Sequence, residues 1–174
     1  MITTVLNADG LPYDPECLCD QCLATRRDPR FAGPRGKISS IYVIGSMRNP
    51  KVPEVAAKLR AVGLDAFDDW YSPGPDTDDR WQDYERARKR SYCEALAGAH
   101  ARNVFAFDKY HLDRCDAALL VLPAGKSGHL ELGYMIGRGK PGYILLDGEP
   151  ERLDVMYNFA TKVLTSLEEL TVMQ

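Results

Sequence analysis

The sequence has no apolar run long enough to cross a membrane and no excess of positive charge. Its 174 residues include 22 Lys and Arg against 25 Asp and Glu, which gives a formal net charge of −3. A spanning helix needs roughly 18 or more apolar residues in succession, and nucleic-acid surfaces carry clustered positive charge. A basic segment followed by an apolar one, which marks a secretory signal, is also missing at the N-terminus. We therefore expect a cytoplasmic protein that contacts neither membrane nor nucleic acid.

Cysteine is scarce, and its pattern does not suit a disulfide framework. There are five cysteines, an odd number in a chain without a recognisable secretion signal. Cys17, Cys19 and Cys22 form a C-x-C-x-x-C cluster, and thiolates at this spacing can hold part of a tetrahedral zinc site. A fourth ligand would have to come from Asp20 or from a distant histidine. Two interpretations therefore stay open, a structural zinc site and a reduced surface arm, and no other cofactor is expected.

The first 37 residues differ in pattern from the rest of the chain. Prolines and glycines interrupt residues 1–37, so we predict an N-terminal arm with little regular structure. Residues 38–174 instead alternate short apolar runs with amphipathic segments. This alternation predicts one α/β domain, doubly wound like flavodoxin, with a parallel sheet of about five strands and helices on both faces.

The apolar runs and the turn residues between them place the individual elements. Apolar runs predict strands at 41–44, 64–67, 116–122, 143–146 and 163–164. Helical spacing predicts helices over 53–62, 80–99, 130–138 and 155–160, with a last helix opening at 166. A short helix capped by Asp108 is predicted to run through 112–115.

Glycine and polar residues follow the first predicted strand. Gly45, Ser46 and Arg48 come directly after it. A glycine there lets the backbone approach a ligand closely, and an arginine suits a bidentate anion such as phosphate. A surface ion pair is the alternative role for Arg48.

An acidic, proline-rich loop over 72–79 follows the second predicted strand, and Trp70, Tyr71 and Trp81 bracket it. Loops at the ligand-binding edge of a sheet are often lids. Trp70 is therefore a candidate for stacking on a planar base. Packing of the tryptophans onto the core is the alternative.

Two acidic residues flank the most apolar predicted strand. Glu131 is placed in the first turn of the following helix, after a lead-in that contains Ser127, Gly128 and His129. Ligands of open α/β sheets bind at this edge, and a helix dipole would hold Glu131 ionised. Asp108, upstream, suits the N-cap of a short helix. The non-catalytic alternatives are a glutamate favoured only by the dipole and a plain capping aspartate.

Four sequence elements follow one another in a fixed order. They are Tyr42 to Arg48 (YVIGSMR), Asp108 followed by 116–121 (DAALLV), Ser127 to Gly133 (SGHLELG) and Gly139 to Pro141 (GKP). In this order they resemble the nucleoside 2-deoxyribosyltransferase superfamily, and the ordered set is more specific than any one element. That group includes transferases that exchange bases on deoxyribose and 2′-deoxynucleoside 5′-monophosphate N-glycosidases, which hydrolyse the same bond. The resemblance covers residues 38–146.

The resemblance implies a role for each matching residue. Glu131 corresponds to the family's nucleophilic glutamate, Asp108 to the aspartate that helps the base leave, and Tyr42 to a tyrosine of the active-site floor. Ser46 and Arg48 correspond to the turn that the monophosphate glycosidases use near the phosphate, which favours a nucleotide substrate. The resemblance also implies a homodimer or a larger homo-oligomer with shared active sites.

The chain also departs from the glycosidase pattern. Gly125 stands where those enzymes carry a phosphate-contacting serine, so Ser127 or His129 would have to replace that contact. Residues 70–107 are longer than the family's usual connection, which leaves the lid and the specificity open. Tyr157 and Asn158 are candidates to reach the pocket of a neighbouring subunit.

From these residues we expect an enzyme that cleaves the N-glycosidic bond of a deoxynucleoside or of its 5′-monophosphate. A covalent intermediate between the sugar and Glu131 would form, and water or a second base would resolve it. The alternatives are a nucleotide-binding module without turnover and an NAD glycohydrolase-like activity, which also breaks an N-glycosidic bond beside a glutamate.

Overall fold

A five-stranded parallel sheet lies at the centre of the computed structural model, which describes residues 5–6, 12–13, 37–150 and 154–171. Within the N-terminal region, β1 (Val5–Leu6) and β2 (Pro12–Tyr13) form a separate antiparallel pair that the sequence did not predict. The strands of the main sheet are β3 (Ser40–Ile44), β4 (Asp65–Phe67), β5 (Ala117–Val121), β6 (Gly142–Leu145) and β7 (Lys162–Leu164).

The strand order is β4-β3-β5-β6-β7, with every neighbouring pair parallel. This order confirms the predicted flavodoxin-like, doubly wound α/β fold. All five residues of β5 are buried, as its unbroken apolar sequence predicted for a central strand covered on both faces.

Helices cover both faces of the sheet. None of the helices in the described ranges is both long and apolar enough to cross a membrane. Residues 155–160 were predicted to be helical, and a 3₁₀ helix lies there at Val155–Phe159. Another 3₁₀ helix lies at Asp69–Tyr71. The α-helices are α1 (Lys51–Ala61), α2 (Thr77–Ala87), α3 (Tyr92–Leu96), α4 (Ala99–Arg114), α5 (Lys126–Gly137) and α6 (Glu168–Thr171).

The alternation of side chains along β3 divides the core into two layers. Ile41 and Val43 pack into a layer with α1 and the C-terminal segment, whereas Tyr42 and Ile44 pack into a layer with α4 and α5. The second layer also contains Phe67, Leu112, Leu120, Leu132, Met135 and Ile136. Tyr42 therefore points from the middle of the sheet toward the two helices that carry Asp108 and Glu131.

The prediction of one helix over 80–99 is wrong. α2 already begins at Thr77, whose hydroxyl donates to the carbonyl of Gly74, so the acidic loop is shorter than predicted. α2 ends at Ala87, and the helical path is interrupted at Lys89, which has a φ of 57°. Ser91 then starts α3 through a capping box with Glu94, in which each side chain accepts a hydrogen bond from the other residue's backbone N–H. The capping box therefore starts a new helix within residues 80–99, which the charge pattern alone had predicted to be one helix.

Asp108 does not cap a helix, contrary to the sequence-based prediction. α4 begins nine residues earlier, at Ala99, and Asp108 lies within its 16 residues. Leu112 is the one buried residue of α4, so the helix lacks the apolar stripe by which its start would be recognised.

The start of α5 was also misplaced. The helix begins at Lys126 instead of residue 130, so Glu131 is its sixth residue and lies beyond the first turn. The first turn of α5 contains Gly128, which is buried but has no side chain. The spacing of apolar residues therefore could not reveal that the helix begins before residue 130.

Candidate active site

Hydrogen bonds join the turn after β3 to the end of β5. The Asn49 amide donates hydrogen bonds to the carbonyls of Val121 and Pro123, each at 3.3 Å. A Cβ on Gly45 would lie 2.4 Å from Cγ2 of Val52, so close packing against α1 accounts for the glycine. The predicted binding turn and the lead-in to α5 thus meet at the carboxyl edge of the sheet, where ligands of this fold class bind.

Gly128 brings α5 close to the sheet. A Cβ at this position would lie 3.0 Å from Cγ2 of Ile44 and 3.1 Å from Cδ1 of Leu120. Packing therefore explains the glycine, and its proposed contact with substrate stays a prediction. Ser127, one residue earlier in the first turn of α5, is exposed, as a ligand contact there requires.

Tyr42, Asp108 and Glu131 come together from three different elements. The Tyr42 hydroxyl, on a buried side chain of β3, donates a long hydrogen bond of 3.4 Å to Oδ1 of Asp108 on α4. Glu131 on α5 is close enough for its negative charge to act on Tyr42 and for the charge of Asp108 to act on it. The two carboxyl groups are half-buried and therefore still reachable from solvent.

Burial and mutual charge shift the proton affinities of these groups upward. Burial, followed by the negative charge of Asp108, raises the pKa of Glu131 to about 8. Burial also raises the pKa of Asp108, and the hydrogen bond from Tyr42 opposes that rise. Burial, followed by the charges of Glu131 and Asp108, raises the pKa of Tyr42, which stays a hydrogen-bond donor.

The expectation that a helix dipole holds Glu131 ionised is therefore wrong. The favourable effect of a helix N-terminus falls off within the first turn, and Glu131 lies in the second turn of α5. Desolvation is left as the larger effect, and it favours the neutral acid.

An aromatic cluster lies beside Asp108, and the sequence analysis did not identify it. The ring of His111 stacks on Phe67 with centroids 3.7 Å apart and an interplanar angle of 9°. Phe107 packs against both rings, at 5.9 Å from Phe67 and 4.6 Å from His111. Phe107 and His111 are four residues apart on α4, so their pairing becomes visible only once that helix is recognised.

His111 is held in its neutral form with a fixed tautomer. The Arg114 Nε–H donates to Nδ1 of His111 at 2.9 Å, which assigns the remaining ring proton to Nε2. Burial and the positive charge of Arg114 lower the pKa of His111. The aromatic cluster of Phe67, Phe107 and His111 therefore consists of flat, uncharged rings.

Trp70 shows the packing contact that was the alternative to base stacking. Its indole Nε1–H donates to the carbonyl of Val43 at 2.8 Å, and its ring packs against both core layers. This contact fixes the Asp69–Tyr71 turn on the sheet. Stacking of Trp70 on a substrate base stays a prediction for the part of its ring that is accessible.

Arg48 and Ser46 occupy the turn as predicted, but Arg48 already has a partner. Its Nη2 lies 2.6 Å from Oδ2 of Asp79 on α2, and both side chains are exposed. The backbone N–H of Arg48 donates to the Ser46 hydroxyl at 3.2 Å. The surface ion pair that was the alternative role for Arg48 is thus present in this structure.

His129 makes its contacts on a different face of α5 from Glu131, and its contact with substrate stays a prediction. Its ring contacts the carbonyl of Gly125 through Nδ1 at 2.8 Å and the Tyr157 hydroxyl through Nε2 at 3.1 Å. Residues two apart on an α-helix point to nearly opposite faces. His129 therefore lines a pocket of about 360 Å³ between α5 and the Val155–Phe159 turn, whose lining does not include Glu131.

The described residues offer no metal centre at these sites. In the ranges 37–150 and 154–171, His, Cys, Asp and Glu side chains do not form a group of three that could hold a metal ion. The cluster of Cys17, Cys19 and Cys22 lies outside the described residues, so its zinc site stays a prediction.

The chain was compared with protein families, curated proteins and solved structures. No family model matches it, and no curated protein matches it. Its fold matches a solved structure of a 2-deoxyribosyltransferase from the psychrotolerant bacterium Bacillus psychrosaccharolyticus, with a TM-score of 0.50 and 16% sequence identity. The match covers 75% of this chain and 89% of that chain. This likeness supports the α/β fold described above.

Proposed function

We propose that this chain cleaves the N-glycosidic bond of a 2′-deoxynucleoside or of its 5′-monophosphate, with Glu131 as the nucleophile. The observation that carries the proposal is the convergence of Glu131 and Asp108, two half-buried carboxyl groups with raised pKa values, around the Tyr42 hydroxyl. The ordered motifs that resemble the nucleoside 2-deoxyribosyltransferase superfamily support it. So does the fold likeness to a 2-deoxyribosyltransferase, and we propose membership of that superfamily on the same grounds.

The reaction needs a nucleophile and an acid on opposite sides of one bond. A carboxylate oxygen of Glu131 attacks C1′ of the sugar, and the bond from C1′ to the base nitrogen breaks with its electron pair going to the base. Asp108 gives its proton to the departing base, which is otherwise a poor leaving group. Water or a second base then attacks C1′ and releases Glu131, with Asp108 taking up the incoming proton.

The raised pKa values suit this division of labour. Two neighbouring carboxyl groups that both resist ionisation share a proton near neutral pH, and the proton belongs to the pair instead of to one residue. The free protein favours protonated Glu131, because its pKa is about 8. The reactive form is the one in which this proton has moved to Asp108, and a base nitrogen that accepts a hydrogen bond from Asp108 stabilises that form.

Tyr42 and the aromatic cluster position these acids and the base. Because its pKa is raised, Tyr42 keeps its proton and orients Asp108 through their hydrogen bond. Phe107 is exposed beside Asp108 and is backed by His111. A planar base that stacks on Phe107 would present its ring nitrogen to Asp108, since aromatic rings prefer offset stacking or edge contact.

The activity is tested by incubating the purified protein with 2′-deoxynucleosides, their 5′-monophosphates and NAD, and by measuring released base. We expect release from deoxynucleosides or their monophosphates, with a loss of about 10³-fold or more in Glu131→Gln. Release from NAD alone would replace this function with an NAD glycohydrolase activity. Binding without release from any of these compounds would favour a nucleotide-binding module without turnover.

A second base in the same assay separates the two resolving steps. A transferase forms a new nucleoside from the added base, whereas an N-glycosidase yields free deoxyribose or its phosphate at a rate independent of that base. Both outcomes proceed through Glu131 as the nucleophile. The measurement therefore shows whether water or a second base accepts the deoxyribosyl group.

We also propose a homodimer or a larger homo-oligomer. The resemblance to the superfamily implies such an assembly, and several large apolar side chains that an interface could cover are exposed in the described residues. They include Val104, Phe105 and Tyr110 on α4, Leu130 on α5, and Val155 and Met156 on the 3₁₀ turn. The mass in solution, measured by light scattering, would exceed that of one chain.

A further inference from the structure

Helix α2 is weakly embedded in the protein although it lies over the carboxyl edge of the sheet. Glu85 is its one buried residue. Two residues with positive φ bracket it, Gly74 at 89° and Lys89 at 57°. A helix with so little buried surface depends on a few specific contacts for its position.

One of those contacts joins α2 to the turn that follows β3. Oδ2 of Asp79, in the first turn of α2, lies 2.6 Å from Nη2 of Arg48. Arg48 is the residue that would hold a substrate anion at this edge, because a guanidinium matches the geometry of a carboxylate or a phosphate. The Asp79 carboxylate therefore already pairs with the guanidinium that an anionic substrate group would need.

A second cation at the same edge is also engaged. Lys51, at the start of α1, forms an ion pair with Asp147, which follows β6. The two basic side chains that follow β3 are thus both neutralised by carboxylates from elsewhere in the chain. A site arranged for a phosphate dianion would hold such cations toward the ligand instead.

We propose that Asp79 is a selectivity residue that directs the site toward 2′-deoxynucleosides with an uncharged 5′-hydroxyl and against their 5′-monophosphates. This inference rests on the proposed function and names its substrate class. A 5′-phosphate has to displace Asp79 from Arg48 and then remain beside a negative charge. A 5′-hydroxyl has to do neither, because it needs no cation.

The size of the effect follows from the exposure of the pair. An exposed ion pair contributes little by itself, and the repulsion between a carboxylate and a nearby dianion adds to it. We expect the wild-type protein to have the higher kcat/KM for a deoxynucleoside. Replacing Asp79 should shift the ratio of kcat/KM values by about five- to tenfold toward the monophosphate.

The test compares 2′-deoxyadenosine with its 5′-monophosphate in Asp79→Asn, which removes the charge and keeps the shape. Asp78→Asn is the matched control, because Asp78 is an exposed neighbour in the same turn and is not part of the Arg48 pair. Asp79→Asn should raise the monophosphate-to-nucleoside ratio, and Asp78→Asn should raise it by less than about twofold. Adding Arg48→Ala to Asp79→Asn should cancel the gain, because the released guanidinium is its cause.

Three results would overturn the inference. The first is a higher kcat/KM of the wild-type protein for the monophosphate than for the deoxynucleoside. The second is an equal shift of the ratio in Asp79→Asn and Asp78→Asn, and the third is a gain that survives Arg48→Ala. Binding of the same two compounds, measured by calorimetry on the same variants, separates this inference from the reaction itself. If no variant releases base, the proposed function fails, and the binding ratio alone still decides whether Asp79 selects against the phosphate.

Discussion

The hydroxyl of Tyr42 donates a hydrogen bond to Oδ1 of Asp108, and this contact joins the second layer of the core to the candidate active site. Tyr42 is 1% exposed, while Asp108 is half-buried on α4. Burial and the charges of Glu131 and Asp108 raise the pKa of Tyr42, so its hydroxyl keeps the proton that it donates. The contact therefore orients the Asp108 carboxyl group from within the sheet.

Tyr42→Phe should lower base release about tenfold while leaving the fold intact. The ring is retained in its buried site, and only the hydroxyl is lost. That hydroxyl lowers the pKa of Asp108, so its loss should raise the pKa of Asp108 further. The measurement is the pH dependence of kcat/KM together with a thermal melt. An unchanged rate and an unchanged profile would show that Tyr42 does not orient Asp108.

The activity of the wild-type protein should fall as pH rises through about 8. The proton shared by Glu131 and Asp108 is lost there, because the pKa of Glu131 is about 8, and the departing base then has no acid. In Asp108→Asn the neighbouring negative charge is gone, so the pKa of Glu131 moves down in part, while burial still raises it. This variant has no shared proton to give to the base, so the fall near pH 8 should disappear. The rate should also drop about 10²-fold or more, since a general acid contributes that much. A fall near pH 8 that persists in Asp108→Asn would assign it to another group.

Glu131→Gln should make the folded protein more stable at neutral and alkaline pH. The pKa of Glu131 is about 8 in the folded protein, against an ordinary value of 4.5 for a glutamate in water, so the folded state binds more protons between these two pH values. Wild-type stability therefore decreases with rising pH across this window, by at most about 1.4 kcal/mol per pH unit. Glutamine cannot titrate, so the stability difference between the two proteins should grow up to about pH 8 and then stay constant.

Chemical denaturation at several pH values measures this difference. The prediction is contradicted if the difference in the free energy of unfolding between the wild-type protein and Glu131→Gln is the same at pH 5 and at pH 8. Such a result would mean that Glu131 is solvated in the folded protein, and the electrostatic part of the site would have to be revised.

Gly128→Ala should destabilise the protein by about 1–3 kcal/mol, because the new methyl group meets Ile44 and Leu120 in a close-packed layer. Gly133→Ala on the same helix is the matched control. A Cβ there meets nothing within 4 Å, so it should stabilise the helix by about 0.5–1 kcal/mol. Urea denaturation of the two variants checks both signs. Equal effects would show that α5 does not rest on the sheet at Gly128.

The order of the elements was predictable from the sequence, whereas several boundaries were not. β5 is an unbroken apolar run, and a run that short and that apolar has few structures other than a buried strand. α4 presents mostly exposed side chains, so its first residues carried no apolar period, and Asp108 was consequently mistaken for a cap. A long helix such as α4, which buries one residue, depends on contacts with the rest of the fold. The local sequence pattern does not reveal those contacts, so it could not predict where the helix begins.

The candidate site was predictable as a set of residues but not as an arrangement. Tyr42, Asp108 and Glu131 were found through ordered motifs, and three separate elements bring them together. His129 is two residues from Glu131 but lines a separate pocket, because residues two apart on a helix point to different faces. The aromatic cluster of Phe67, Phe107 and His111 depends on the packing of α4 against β4, which spacing along the chain does not show.

The most direct test of the account is the detection of the bond between the sugar and Glu131. The protein is mixed with a 2′-deoxynucleoside, denatured with acid during turnover and digested, and the peptide that contains Glu131 is weighed by mass spectrometry. The account predicts that this peptide gains the mass of one deoxyribosyl unit, and that the gain is absent in Glu131→Gln. Base release at full rate with the unit on a different residue, or full activity in Glu131→Gln, would contradict it.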